Sequence, residues 1–152
     1  MPSNLYGPGD NFDPETSHVL PALIRKVREA RARGERRILI WGTGAPRREF
    51  LHVDDCADAL VHLAKVWSGP GPVNVGCGTD IAIRDLAALI CRVADWDCEI
   101  GFDATKPDGT PRKLLDVSRL ASLGWRPRIG LAEGIARMLD DFDRAAGLRG
   151  AA

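Results

Sequence analysis

The sequence predicts an α/β fold on three observations. Short apolar runs of strand length, such as Ile38–Trp41 and Val73–Gly76, alternate with longer segments whose apolar residues recur at helical spacing. The 152 residues suffice for one domain with a sizeable core. The composition, 45% hydrophobic and 28% charged, is that of a folded, soluble chain.

Each element has its own signal. Residues 1–16 read as a short extended piece and then a loop, because Pro8, Gly9, Asp10, Asn11, Asp13 and Pro14 are turn formers. A helix follows over about 18–33. Val19, Leu23, Ile24 and Val27 share a face, Pro21 fits in its first turn, and Gly34 stops it. Ile38–Trp41 reads as a buried strand ending in the turn Gly42–Pro46. Glu49–Val53 is a second extended piece, and Asp54 or Asp55 caps the helix that carries Cys56, Ala59, Leu60 and Leu63. After the Pro70-Gly71-Pro72 break come a strand at Val73–Gly76 and a tight turn at Gly76-Cys77-Gly78. Ile83, Leu86, Ala87, Ile90, Val93 and Ala94 form the clearest helical stripe. Glu99–Phe102 is a strand, and Lys106–Lys113 a polar loop with two prolines and a glycine. Asp116 opens a short helix that Gly124 closes. Leu131, Ile135, Met138, Leu139 and Phe142 form the face of the last helix, and residues 148–152 read as a frayed tail.

Composition excludes several classes of function. Lys plus Arg equals Asp plus Glu at 21 each, so the chain is no globally basic nucleic-acid binder. Arg25, Lys26, Arg28, Arg31, Arg33, Arg36 and Arg37 cluster around the first helix. Glu29 and Glu35 interrupt them and no aromatics interleave, which points to a solvated face. No apolar run approaches a membrane span, and the N-terminus lacks the parts of a signal peptide, so the expected compartment is the cytoplasm. Cys56, Cys77, Cys91 and Cys98 contain no C-x-x-C pair. With His18, His52 and His62 they lack metal-ligand spacing, so no metal site is expected and the thiols read as reduced. Neither Gly42-x-Gly44 nor Gly76-x-Gly78 completes a dinucleotide fingerprint; both read as turns. There is no P-loop and no Gly-x-Ser-x-Gly elbow. Asp10 lies four residues after Tyr6, so the only tyrosine forms no Tyr-x-x-x-Lys pair.

The candidate chemistry lies in two loops and one strand end. Arg47 and Arg48 follow the glycine turn, and a guanidinium fork suits a diphosphate. Neighbours on an extended segment point opposite ways, so at most one of the two faces a ligand; the rival reading is a surface ion pair with Glu49 or Asp54. The Lys106–Lys113 loop could clamp an anionic ligand, with Asp108 accepting from hydroxyl or N–H donors, or be a solvated surface loop. His18, where a polar loop meets a helix, suits either a general acid or a surface position.

Taken together, several segments resemble the GDP-L-fucose synthases of the extended short-chain dehydrogenase/reductase family, NAD-dependent epimerase/dehydratase type. They are Pro2–Phe12, Ser17–Arg25, Trp41-Gly-Thr-Gly44 with Arg48–Asp55, Asn74–Gly76, Lys106–Asp116 and Leu123-Gly-Trp125. The Arg48–Asp55 segment is common to many nucleotide-sugar enzymes of that family. The Asp10–Val19 and Lys106–Lys113 segments are more specific to the fucose synthases.

The resemblance implies the C-terminal half of such an enzyme. The Gly-rich cofactor loop and the Tyr-x-x-x-Lys set would lie on sequence not present, making the chain a fragment or one half of a split enzyme. Residues 1–147 would be the substrate-binding portion, with strands near 2–5 and 73–76 joining the Rossmann sheet of the missing cofactor half. The family epimerises C3 and C5 of GDP-4-keto-6-deoxy-D-mannose, then reduces C4 with NADPH to give GDP-L-fucose. By the resemblance, His18 is the catalytic acid. Ser3, Asn4, Leu5 and His18 flank the NADP(H) nicotinamide; position 3 is usually Thr in the family. Lys26, Trp41, Arg48, Asp108 and Lys113 bind the GDP-sugar. A homodimer is implied for the full-length enzyme. Alternatives are a portion of another nucleotide-sugar epimerase/dehydratase and a non-catalytic GDP-sugar-binding module.

Overall fold

The computed structural model describes residues 1–146, so the expected frayed tail at 148–152 lies outside the described residues. Its strands are short, two to five residues each. β1 (Asn4–Tyr6) pairs in parallel with β4 (Phe50–His52), with Leu5 opposite Leu51. β2 (Arg37–Trp41) pairs in parallel with β6 (Glu99–Asp103), with Trp41 opposite Asp103. β3 (Arg47–Arg48) lies between antiparallel β5 (Ile81–Ala82) and parallel β7 (Arg112–Lys113).

Three helices build the main core over β2. They are α1 (Val19–Ala32), α3 (Ile83–Val93) and α5 (Leu131–Ala145), and each contacts the other two. Ile24 and Val27 of α1, Leu86, Ala87 and Ile90 of α3, and Ile135 and Met138 of α5 are fully buried together. These are the residues the helical spacing puts on one face of each helix. Burying a side chain of this size contributes about 1.5–3 kcal/mol. A second, smaller core joins α2 (Val53–Val66) to α4 (Ser118–Ser122). It holds Leu51, Cys56, Ala59, Val73, Val75, Leu120 and Trp125.

The structure corrects four local expectations. β2 is not a strand buried on both faces: Ile38 and Ile40 point into the core, while Leu39 and Trp41 are 47% and 65% exposed. Strand side chains alternate, and helices cover only one face of this sheet. Val73–Gly76 forms no strand. One parallel bridge joins Pro2 to Val75, held by Ser3 N–H to Val75 O at 2.9 Å and Val75 N–H to Met1 O at 2.8 Å; Pro2 has no N–H to give. His52, not Asp54 or Asp55, caps α2, its Nδ1 accepting from the Asp54 N–H at 3.2 Å. Asp55 is buried and instead accepts the backbone N–H groups of Arg128 and Ile129 at 3.0 and 2.9 Å. Finally, the arginines of α1 are not uniformly solvated. The side chains of Arg25 and Arg28 are 16% and 17% exposed, and Arg28 pairs with Asp143 at 2.6 Å.

Candidate functional site

The C-terminal end of β2 opens into a cleft of about 620 Å³. One wall is α1, through Ala22, Leu23, Arg25 and Lys26. The floor is Ile40 and Ile83, and the far wall is Arg48 with Pro107, Asp108 and Gly109. Lys26, Trp41, Arg48 and Asp108 thus share one hollow, although they come from a helix, two strands and a loop.

Local chemistry fixes each of them. Lys26 Nζ donates to Leu39 O at 2.9 Å and stands 5.3 Å from the Trp41 ring centroid; Lys106 Nζ stands 5.6 Å from the same ring. Both distances are within cation–π range. Burial, and then the charge of Arg25, pull the Lys26 ammonium below its ordinary pKa. The alternation of β3 sends its two arginines apart, as the extended reading requires. Arg47 Nε binds Asp80 at 2.9 Å, an aspartate it shares with Arg112. Arg48 turns to the cleft, where Nη1 donates to Arg47 O at 2.7 Å and Thr110 O at 2.6 Å. Among the described residues Arg48 has no carboxylate partner, so the surface pairing with Glu49 or Asp54 does not occur. Its guanidinium remains an uncompensated charge on the cleft wall.

Asp108 ties its loop to the turn after β2. Its Oδ1 accepts from the Thr43 N–H at 2.9 Å and its Oδ2 from the Thr43 hydroxyl at 2.6 Å. These bonds hold its carboxyl below the usual carboxylate range. Gly42 makes the approach feasible: its φ is +77°, and a Cβ there would run into Asp108 Oδ1. The glycines at 42 and 44 are turn residues, both at positive φ.

The remaining expected positions are dispersed. His18 is the exposed N-cap of α1; its neighbours Ser17 and Val19 line the cleft, and its own side chain makes no capping bond. The loop before it is ordered by Asp13, whose Oδ1 accepts from Glu15 N–H, Thr16 N–H and Thr16 Oγ1, each at 2.9 Å. That loop is anchored to α5 through Phe12 on Phe142, with ring centroids 5.0 Å apart, and Gly9 N–H on Asp141 at 2.7 Å. Asn4 and Leu5 lie on β1 and Ser3 immediately precedes it, all three outside the cleft. The Ser3 hydroxyl is buried without a partner among the described residues, Asn4 Nδ2 donates to Glu49 O at 2.7 Å, and Leu5 is 37% exposed. Lys113 is exposed on β7, opposite Arg48 in register but outside the cleft lining.

Two cleft features had little signal in the sequence. Arg25 lines the wall with its Nε buried and without a hydrogen-bond partner among the described residues, although the arginines around α1, interrupted by Glu29 and Glu35, pointed to a solvated face. Lys106 flanks Trp41 from a loop whose path spacing does not reveal. Among the described residues no group of three or more His, Cys, Asp or Glu is placed to hold a metal ion.

The sequence profile of the NAD dependent epimerase/dehydratase family matches residues 1–76, half of the chain. The chain belongs to that family. Its family relatives are close: it is 55% identical over 140 residues to GDP-L-fucose synthase 1 of Arabidopsis thaliana, covering 92% of this chain and 43% of that protein. It is 49% identical over 160 residues to the GDP-L-fucose synthase of Escherichia coli K12, covering 97% of this chain and 50% of that one. The chain therefore spans about half the length of the curated relatives it matches. The epimerase/dehydratase fold is seen directly in the NADP-bound crystal structure of a GDP-L-fucose synthetase from Naegleria fowleri. It superposes with a TM-score of 0.88 at 26% identity, over 96% of this chain and 46% of that one.

Proposed function

We propose that this chain is the substrate-binding part of a GDP-L-fucose synthase and that the cleft grips GDP-4-keto-6-deoxy-D-mannose. The observation that carries this reading is the convergence of Lys26, Trp41, Arg48 and Asp108 on one hollow. A diphosphate needs a guanidinium fork and an ammonium facing a common space, and Arg48 and Lys26 supply them from two walls. Trp41 offers a flat exposed face for a base or sugar ring. The curated relatives named GDP-L-fucose synthase support the choice of nucleotide.

His18 is the proposed proton donor. Epimerisation next to a ketone removes a proton from one face and returns one to the other, and an imidazole at the cleft edge can return it and be reprotonated from solvent. Ser3 and Leu5 are the groups this chain offers to an NADP(H) cofactor: a hydroxyl without a partner among the described residues, just before β1, and an exposed apolar side chain on β1. When bound, that cofactor supplies the hydride for the C4 ketone. The rest of its site, the catalytic Tyr-x-x-x-Lys, and the contacts of a homodimer belong to the cofactor half in this reading. The proposed compartment is the cytoplasm; among the described residues no helix is long and apolar enough to cross a membrane.

The test is thermal protection of the 152-residue chain by nucleotides. A ligand bound only by the folded state stabilises it by about 2.7 kcal/mol at a hundred times its Kd. GDP should raise the melting temperature more than UDP or dTDP at equal concentration. Equal protection by all three, or none by GDP, overturns the reading. The chain alone should oxidise no NADPH with the keto sugar nucleotide, and robust turnover without a partner would refute its role as half an enzyme.

A further inference from the structure

At the end of the β2–β6 pair remote from the cleft, two sulfur atoms meet that the proposed chemistry does not use. Trp41 and Asp103 mark the cleft end of this pair, and Arg37 and Glu99 mark the other. Cys98 immediately precedes Glu99, and its Sγ lies 2.9 Å from the Sγ of Cys91 on α3. Both are free thiols; Cys91 is buried and Cys98 is partly exposed.

The backbone dictates this meeting. α3 ends with Trp96 N–H donating to Cys91 O at 3.0 Å and Asp95 N–H donating to Arg92 O at 3.1 Å, the paired bonds of a Schellman cap. Asp95 takes the left-handed position of that cap with φ +49°, the one such non-glycine among the described residues. The reversal folds the chain back over the last turn of α3 and delivers Cys98 to Cys91. The contact is therefore held by helix-end hydrogen bonds and by the β6 ladder, on both sides of a short loop.

We propose that Cys91 and Cys98 form a reversible dithiol–disulfide pair, oxidised by a low-molecular-weight disulfide such as oxidised glutathione. Cys98, the more accessible, reacts first. Its sulfur, as thiolate, attacks one sulfur of the reagent; the reagent's S–S bond breaks, and one glutathione leaves and takes up the proton Cys98 released. The Cys91 sulfur then attacks the Cys98 sulfur, and the second glutathione departs with the Cys91 proton. Two protein S–H groups are oxidised to one S–S bond, and the reagent is reduced to two thiols. Burial, and then the adjacent Cys98, push the Cys91 thiol up to about 12, which leaves the first attack to Cys98. Cys56 and Cys77 have no part in this. Cys56 lies in the smaller core, and Cys77 hydrogen-bonds Thr79.

The proposal does not depend on the identity of the cleft's ligand. To test it, the native 152-residue chain is incubated with oxidised glutathione, its remaining thiols are alkylated, and a digest is mapped by mass spectrometry. Two of the four thiols should disappear, the intact mass should fall by two hydrogens, and residues 91 and 98 should be cross-linked. Dithiothreitol should reverse all three changes. The oxidised chain should melt several degrees higher than the reduced one, because the cross-link restricts the unfolded state. Cys77→Ser should behave as the parent, and Cys98→Ser should form no cross-link. Four thiols left free, a glutathione adduct persisting on Cys98, or a cross-link through Cys56 or Cys77 would each overturn the proposal. The mapping of the parent chain decides the matter even if Cys98→Ser fails to fold.

Discussion

Asp108 holds Thr43 by two hydrogen bonds, one to its N–H at 2.9 Å and one to its hydroxyl at 2.6 Å, across 65 residues of sequence. This pair closes the 106–113 loop onto the turn after β2 and so makes one wall of the cleft. Asp108→Ala should loosen the loop, and limited proteolysis within 106–110 should speed up while the global melting temperature changes little. Thr43→Val, which keeps the backbone bond to Asp108 but removes the hydroxyl's bonds to Asp108 and from the Ala45 N–H, should give a smaller effect. The sign of the pH dependence follows from the lowered pKa of Asp108, caused first by the Thr43 hydroxyl. The contribution is complete above the ordinary aspartate value of about 3.9 and is lost as pH falls through the lower folded value. Loop protection that is flat with pH through that acid window would contradict the assignment.

Arg48, like Lys26, is a cleft cation with no carboxylate partner among the described residues. Its two bonds go to the carbonyls of Arg47 and Thr110, which orient the guanidinium without neutralising it. Arg48→Met should weaken GDP binding by roughly tenfold to a hundredfold, since a charged hydrogen bond contributes about 1.5–3 kcal/mol. Arg48→Lys should recover only part of the loss, because an ammonium cannot reproduce the planar fork. Arg47→Met serves as the contrast: its guanidinium is committed to Asp80, so nucleotide affinity should change far less. Titration calorimetry with GDP distinguishes the two. Comparable losses at both positions would mean that the division of roles within β3 is wrong.

The helices were legible because a 3.6-residue period needs nothing outside the segment itself. The stripes of α1, α3 and α5 contain the residues that meet in the main core. The exposure of Leu39 and Trp41 was not legible, since Ile38–Trp41 reads the same whether helices cover one face of the sheet or both. The cleft became visible through resemblance more than through spacing: Lys26 and Asp108 are 82 positions apart in the sequence and no local pattern relates them. Glu49 shows the limit most clearly. Between Arg48 and Phe50 it looks like a surface partner for arginine, yet it is 1% exposed and its partners lie 29 and 66 residues away.

Those partners make Glu49 a structural carboxylate. Oε1 accepts from the Gly78 N–H at 2.7 Å and Oε2 from the Leu115 N–H at 2.9 Å, so one side chain fastens two loops to the junction of β3 and β4. Gly76 leaves it room: a Cβ at that position would collide with the carboxylate. Glu49→Ala strands two backbone donors away from water, at a cost of about 1–3 kcal/mol each. The expected loss is about 2–6 kcal/mol in urea unfolding. Asp54→Ala, on the exposed side of the same segment, should lie within about 0.5 kcal/mol of the parent. If the two substitutions prove equally mild, Glu49 does not fasten these loops.

Gly134 sits inside α5, where alanine would ordinarily favour the helix by about 0.8–1.0 kcal/mol. Here packing opposes propensity. The position is buried against Tyr6, and a Cβ would stand 2.6 Å from Tyr6 Cε2 and closer still to its hydroxyl oxygen. Tyr6 has little freedom to retreat: it is 3% exposed, packed edge-on against Phe50 at 6.3 Å and His52 at 5.4 Å between ring centroids. Overpacking of this kind costs about 1–3 kcal/mol, which outweighs the propensity gain. Gly134→Ala should therefore lower stability by roughly 1–2 kcal/mol. The double variant with Tyr6→Phe should recover part of that loss, because it removes the hydroxyl but leaves the ring edge. A double-mutant cycle in denaturant measures the coupling. Stabilisation by Gly134→Ala alone would show that the helix gains more than the ring contact loses, and that α5 can shift away from β1.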